Sequence, residues 1–174
     1  MISKAMQDAI NEQVKHEFES EYLYLSMAAY LHGLGLDGMG QWMRAQAAEE
    51  DIHAMKFFGF LIDRDGPVSL KALGQPQAEW ASPLAAFQAA YAHEQFITGK
   101  INDLVKLAQQ ENDNASLALL QWFVTEQVEE EATASKVVQS LKLAGDSGAA
   151  LLLLDREMGV RQAPPAGAGE APAG

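Results

Sequence analysis

Five consecutive residues, Glu49-Glu50-Asp51-Ile52-His53, carry the side chains best suited to chemistry in this chain. Glu50 and His53 stand three apart, so on a helix a carboxylate and an imidazole rise from one face, one turn apart. Such a pair suits a divalent cation that accepts both oxygen and nitrogen ligands. The residues around it say which face that is. From about Met39 to Arg64, Met39, Met43, Gln46, Glu50, His53, Phe57 and Phe60 recur at alternating steps of four and three. This is the spacing of the inward seam of a helix packed in a bundle. Two ligand-type side chains therefore stand where apolar ones are expected. A lone Glu-x-x-His is a weak signal, because an ordinary helix surface carries it often. Its weight here comes from three other segments that behave alike.

The first runs from Ser3, a fitting N-cap, to about His32. Ile10, Gln13, Glu17, Tyr24, Ala28 and Leu31 mark its seam, with Val14, Phe18 and Leu25 widening the apolar face. Glu17 lies within this stripe, Tyr24 two turns further along it, and Glu21 nearer its edge. The third segment opens at Ser82-Pro83, an N-cap followed by proline at the first helical position. Leu84, Phe87, Tyr91, Glu94, Thr98, Ile101, Val105 and Ala108 trace its seam, again with one carboxylate in an apolar row. The fourth, about Ala115 to Leu143, aligns Leu120, Phe123, Gln127, Glu130, Ala134, Val137 and Leu141. Gln127 and Glu130 repeat the three-residue spacing of Glu50 and His53, and Glu126, Glu129 and Glu131 make the same turn densely acidic.

Turns and breakers organise these segments. Glycines 33, 35, 38 and 40 punctuate the first connection, and Gln110 to Asn114 the third. Between them Asp65-Gly66-Pro67 to Ser82-Pro83 forms a connection long for a compact domain. It lets the third helix start where the second began, so those two run parallel while the short turns make antiparallel pairs. Gly145 to Gly148 stops the fourth helix and precedes a short apolar one, about Ala149 to Met158. A helix that short must pack on something to persist. From residue 163 onward the chain is rich in proline, alanine and glycine and reads as a disordered tail, leaving residues 1–162 as one all-α domain.

Composition narrows the chemistry. With 174 residues, nearly half apolar, a substantial core is possible. The absence of cysteine excludes disulfides, thiolate metal sites and thiol nucleophiles. No run approaches the roughly 20 apolar residues of a membrane span, and no signal-peptide core opens the chain. A soluble cytoplasmic protein is expected. A net charge of −12 argues against nucleic acid and anionic membranes as partners and suits attraction of cations, although solubility alone also accounts for it.

Each of four helices thus places a ligand-type residue near mid-length on its inward face. Burying several ionised carboxylates without partners costs several kcal/mol each, of the order expected for charges leaving water. The seams carry too few lysines or arginines to neutralise them, whereas a pair of divalent cations would do so. Oxygen-rich ligands with one imidazole suit iron or manganese. The bland alternative is that some helices are rotated and the glutamates face solvent, but the apolar residues on both sides fix the phase. Tyr24 serves either as a core residue or as an electron donor near the metals. Trp122 reads as packing, with electron supply as its alternative. His16, His32 and His93 fall off the seams and read as surface or inter-subunit residues.

Taken together, these residues resemble a ferritin, specifically a non-haem bacterial ferritin, over about residues 2–160. The resemblance is carried by Glu17 and Tyr24 in the Glu-Tyr-Leu-Tyr-Leu-Ser-Met context, by Glu49 to His53, by His93-Glu94-Gln95, and by Gln121 to Glu130. It implies a ferritin-like four-helix bundle with the long crossover between helices two and three and a short fifth helix at fourfold axes. It implies a ferroxidase centre in which Glu17, Glu50 and His53 bind the first iron, with Glu50 bridging. Glu94 and Glu130 would hold the second, with Gln127 close by. A third iron site maps onto Glu49, Glu126, Glu129 and Glu130. Fe(II) would be oxidised there by oxygen or hydrogen peroxide and stored as a ferric mineral inside a hollow homo-oligomer of 24 subunits.

Departures refine this. Bacterioferritins repeat Glu-x-x-His on the fourth helix, where this chain has Gln127 and Glu130. Their haem-binding methionine falls where Asp51 and Ile52 stand, so no haem is expected. Rubrerythrins need cysteine-bound iron, which this chain cannot make. Where animal ferritins line threefold channels with acidic residues, this sequence aligns Leu117 and Leu120. Two rival readings are another di-metal oxidase on the same fold and a non-catalytic, mineral-nucleating shell subunit.

Overall fold

A computed structural model describes residues 2–163. The chain forms α1 (Lys4–Gly33), α2 (Asp37–Asp63), α3 (Pro83–Glu111), α4 (Asn114–Ala144) and α5 (Gly148–Met158), the all-α bundle with a short fifth helix that the periodicity requires. Apart from Ala163, the expected tail lies outside the described residues. Four helix starts are capped by side chains. Ser3 accepts from the Met6 amide, Ser82 from Ala85, Asp113 from Ser116 and Ser147 from Ala150. Each cap satisfies an amide that lacks an intrahelical partner. The start of α2 has no such local cap; instead Asp155, on α5, accepts from the Met39 amide at 2.8 Å. That bond fixes the fifth helix to its own bundle.

α1 with α2 and α3 with α4 form two helical hairpins. Residues 64–82 connect them by climbing α1. Asn11 binds the Pro67 carbonyl and the Ser69 amide, Lys71 pairs with Glu12, Ser26 donates to the Gln77 carbonyl, and Trp80 packs on Tyr30. The strap therefore travels from the first third of α1 to its last turn, so α3 starts at the end of the bundle where α2 began. Arg64 closes the other end with a two-pronged ion pair to Asp113, at 3.1 and 3.2 Å.

The apolar core is divided in two. One cluster gathers Met27, Leu31, Met39, Met43, Phe87 and Leu141; the other gathers Ile10, Val14, Phe57, Leu61, Ile101 and Phe123. The polar seam residues lie between them. Some seam positions differ from the spacing read in the sequence. On α3, Ala90, Ile97 and Leu104 point inward while Leu84, Tyr91, Thr98 and Val105 are half-buried; on α4, Val138 replaces Val137. Leu25, expected on the apolar face of α1, is exposed. On α3 the shared residues Phe87, Glu94, Ile101 and Ala108 stay buried throughout, and the row between them follows a three-four rather than a four-three order. On α4 an extra step of four from Ala134 to Val138 shifts the last turns, as helical drift does. Leu120 is buried and Leu117, half-buried, packs against the same cluster. α5 buries Asp155 and Met158 but leaves Leu152 and Leu153 exposed.

Candidate metal centre

Between the two apolar clusters Glu17, Gln46, Glu50, His53, Glu94, Gln127 and Glu130 are all buried, each no more than 6 % exposed. Every one of the four long helices contributes, because each carries its polar residue where its seam crosses the middle of the bundle. No lysine or arginine is buried with them among the described residues. The charge of this belt must be met by protons or by cations from outside.

Two groups of atoms lie close enough to share an ion. Glu17, Glu50 and His53 present ligand atoms within 4.8 Å of one another, and so do His53, Glu126 and Glu130. Glu94 joins from α3. It receives the Tyr24 hydroxyl on one oxygen and the Gln127 amide on the other, at 3.2 Å. Further amides orient the acids: Gln13 donates to Glu17 at 2.8 Å and Gln46 to Glu130 at 2.7 Å. Thr98 links Gln127 to Glu131. One oxygen of Glu17 and the carbonyl of Gln46 are shut off from solvent with no partner. A buried carboxylate oxygen left unpaired is costly, and it faces a ready-made ligand group. The donor set therefore fits a hard divalent cation.

Electrostatics say the same. Burial, reinforced by Glu50, raises Glu17 to about 8. Burial and Glu130 raise Glu94 to about 7. Glu50 is raised well above the carboxylate range by burial and by Glu94 and Glu130. Without a cation these acids share protons at neutral pH, since charges so close in a dry site cannot all ionise. Cation binding must expel those protons.

The outer acidic residues are less uniformly placed. Glu126 is half-buried, Glu129 is exposed, and Glu49 is half-buried on the α2 side. Glu49 accepts an ion pair from Arg161 at 2.5 Å, a partner that helical periodicity cannot reveal because Arg161 lies beyond α5. Burial still raises Glu49 to about 7, against the opposing pull of that arginine. Tyr24 is fully buried, and its ionisation is raised by burial and the neighbouring carboxylates. Trp122 packs its ring against the His53 imidazole, edge-on at 5.5 Å. Of the histidines off the seams, His32 is exposed against Asp37. His93 is largely enclosed between α1 and α3, bonded to Ser20 at 2.7 Å, and burial lowers it to about 4. His16 stands edge-on to Phe96 nearby.

A four-helix bundle with a long crossover and a carboxylate–imidazole centre in its core is the arrangement of ferritin-like proteins. Residues 7–144 match the family model described as a ferritin-like domain. The chain is 38% identical over 161 residues to a bacterial non-haem ferritin of Bacteroides fragilis, covering 92% of this chain and 100% of that one. It is 40% identical over 156 residues to a bacterial non-haem ferritin of Campylobacter jejuni, covering 90% and 93%. Among solved structures, the open-pore ferritin of the hyperthermophilic archaeon Archaeoglobus fulgidus superposes with a TM-score of 0.92 at 50% identity, over 93% of this chain and 100% of that one. The chain belongs to the ferritin family, and storage of iron is the function that family and fold support. No helix among the described residues is long and apolar enough to cross a membrane.

Proposed function

We propose that the protein is a ferroxidase as well as an iron store, with Fe(II) as its substrate. The observation that carries this is the enclosed belt of Glu17, Glu50, Glu94 and Glu130 with one imidazole, His53, and, among the described residues, no buried lysine or arginine beside it. Glu17, Glu50 and His53 hold one iron, Glu50 reaches toward both, and Glu94 and Glu130 hold the second beside Gln127. Glu49, Glu126, Glu129 and Glu130 take a third, weaker ion. Hard carboxylates favour Fe(III) over Fe(II), which lowers the cost of oxidation. Two irons side by side give up one electron each to oxygen or hydrogen peroxide in one encounter. Tyr24, through its bond to Glu94, is placed to supply a further electron. Gln13 and Gln46 hold the acids in register, as outer partners of metal ligands do.

The product is stored as a ferric mineral within a homo-oligomeric cage of 24 subunits in the cytoplasm, without haem. One domain over residues 1–162 does this work. The test is anaerobic titration of chelator-treated protein with Fe(II), then a pulse of air followed by stopped-flow absorbance. A fast phase saturating at about two to three irons per chain is expected. His53→Ala or Glu130→Ala should slow that phase by about tenfold or more while the oligomer still assembles. Variants that oxidise iron at the parent rate would move the centre elsewhere. Only slow, protein-independent oxidation in the parent would leave a storage shell or another metal's oxidase as the better reading.

A further inference from the structure

The contact between Arg161 and Glu49 has no part in the scheme above. Arg161 follows α5 by three residues, with its guanidinium carbon 4.6 Å from the centre of the Trp42 ring and its Nη2 donating to Glu49 Oε2. The other terminal nitrogen, Nη1, is closed off from solvent without a partner. Glu126 and Glu130 converge on His53, whereas Glu49 lies outside that group with one oxygen taken by the arginine. A guanidinium grips a carboxylate best with two parallel bonds. Here it makes one and leaves a nitrogen unsatisfied, so the grip is weaker than an arginine can offer.

Letting go requires no unfolding. α5 is held by Asp155 on the Met39 amide and by Met158 in the core. Close packing of Gly38 against the Asp155 carbonyl locks the same joint. None of these anchors involves Arg161. Its side chain can leave Glu49 while the helix stays in place.

We propose that Arg161 is an internal counter-ion that competes with the third cation for Glu49, so that this site fills only as the guanidinium leaves Trp42. The inference rests on the metal-binding reading above and adds to it a positioning residue that separates two tight sites from one weaker site. Where the competent form is a minority, apparent affinity falls by its fraction. A released population of about one in ten makes the third site about tenfold weaker than its ligands alone would make it. By linkage, cation binding expels the arginine by the same factor.

The test uses chelator-treated full-length protein, titrated anaerobically with Fe(II) and separately with redox-inert Zn(II), by calorimetry and tryptophan fluorescence. Arg161→Gln should tighten the weakest class of sites by about tenfold and leave the tighter classes unchanged. Arg161→Lys, which keeps the charge, should stay near the parent. In the parent, the last equivalent should bring a fluorescence change that is absent from Trp42→Phe and from Arg161→Gln. An unchanged weakest class in Arg161→Gln overturns the proposal, even with a lowered melting temperature, because Arg161 is then only a latch for the chain end. A parent that binds no cation defeats the metal-binding reading itself, a failure visible without any variant.

Discussion

Glu17→Gln isolates the electrostatic cost of the empty centre. The side chain is fully buried, its carboxyl is raised to about 8 by burial and by Glu50, and one of its oxygens has no partner. A carboxyl whose folded value lies above its unfolded one stabilises the fold while protonated, below about 4.5. That contribution is lost as pH rises toward 8. Glutamine keeps the shape and cannot titrate. In chelated protein the two should therefore be nearly equal in stability at pH 5. At pH 8 the variant should be more stable by about 3–4 kcal/mol, from the standard conversion of such a displacement into free energy. For a chain of this size that is a difference of roughly 10 °C in melting temperature. The neighbouring acids share their protons, so part of the loss passes to Glu50 and Glu94, and the measured difference falls below this figure. Thermal melts of both proteins by circular dichroism, at half-unit steps from pH 5 to 8 in chelator, measure it. Excess divalent cation should reverse the order, because Glu17 is then a ligand and glutamine a poor substitute. A difference flat with pH, or one favouring the parent at pH 8, would refute the claim that burial of this carboxylate is uncompensated in the empty site.

Three further outcomes follow from the same geometry. Tyr24→Phe removes the hydroxyl that Glu94 accepts; stopped-flow oxidation should slow by about two- to tenfold while anaerobic cation binding changes little, and an unchanged rate would reduce Tyr24 to packing. Trp122 stands against His53, with Lys56 over its ring at 4.4 Å. The first cations bound should therefore change its emission, and Trp122→Phe should abolish that part of the signal; persistence of the full signal would place the first ion away from His53. At Gly38 a Cβ would lie 1.8 Å from the Asp155 carbonyl oxygen. Gly38→Ala must then push α5 off the start of α2 and break the Met39 cap, a loss of about 2 kcal/mol or more. Urea unfolding checks this, and a parent-like midpoint would show that the joint yields freely.

Much of the centre was legible because it interrupts a pattern. Glu17, Glu50, His53, Glu94, Gln127 and Glu130 each sit in a row of apolar residues whose phase is fixed from both sides, and all six are buried. The same logic read the crossover, since a connection this long between helices joined elsewhere by tight turns implies a change of direction. It was weaker for neighbours of the seam. Tyr91, Thr98 and Val105 satisfy a four-three order between Phe87, Glu94, Ile101 and Ala108, yet Ala90, Ile97 and Leu104, which satisfy a three-four order between the same residues, are the buried ones. Spacing alone does not choose between two rows one position apart. Leu117 and Leu120 illustrate a different limit. They align where animal ferritins carry acidic channel residues, and on α4 they turn their apolar surface to the core instead. Contacts between the C-terminal part of the chain and α2 left no sequence signal at all. Asp155 capping α2 and Arg161 holding Glu49 each join residues more than a hundred positions apart, and both depend on where α5 docks. That docking is set by two glycines, Gly38 and Gly159, whose lack of side chains lets the backbones meet. The residues of the buried carboxylate belt are thus announced by their own helices. The arginine proposed to compete with a cation beside it is announced only by the fold.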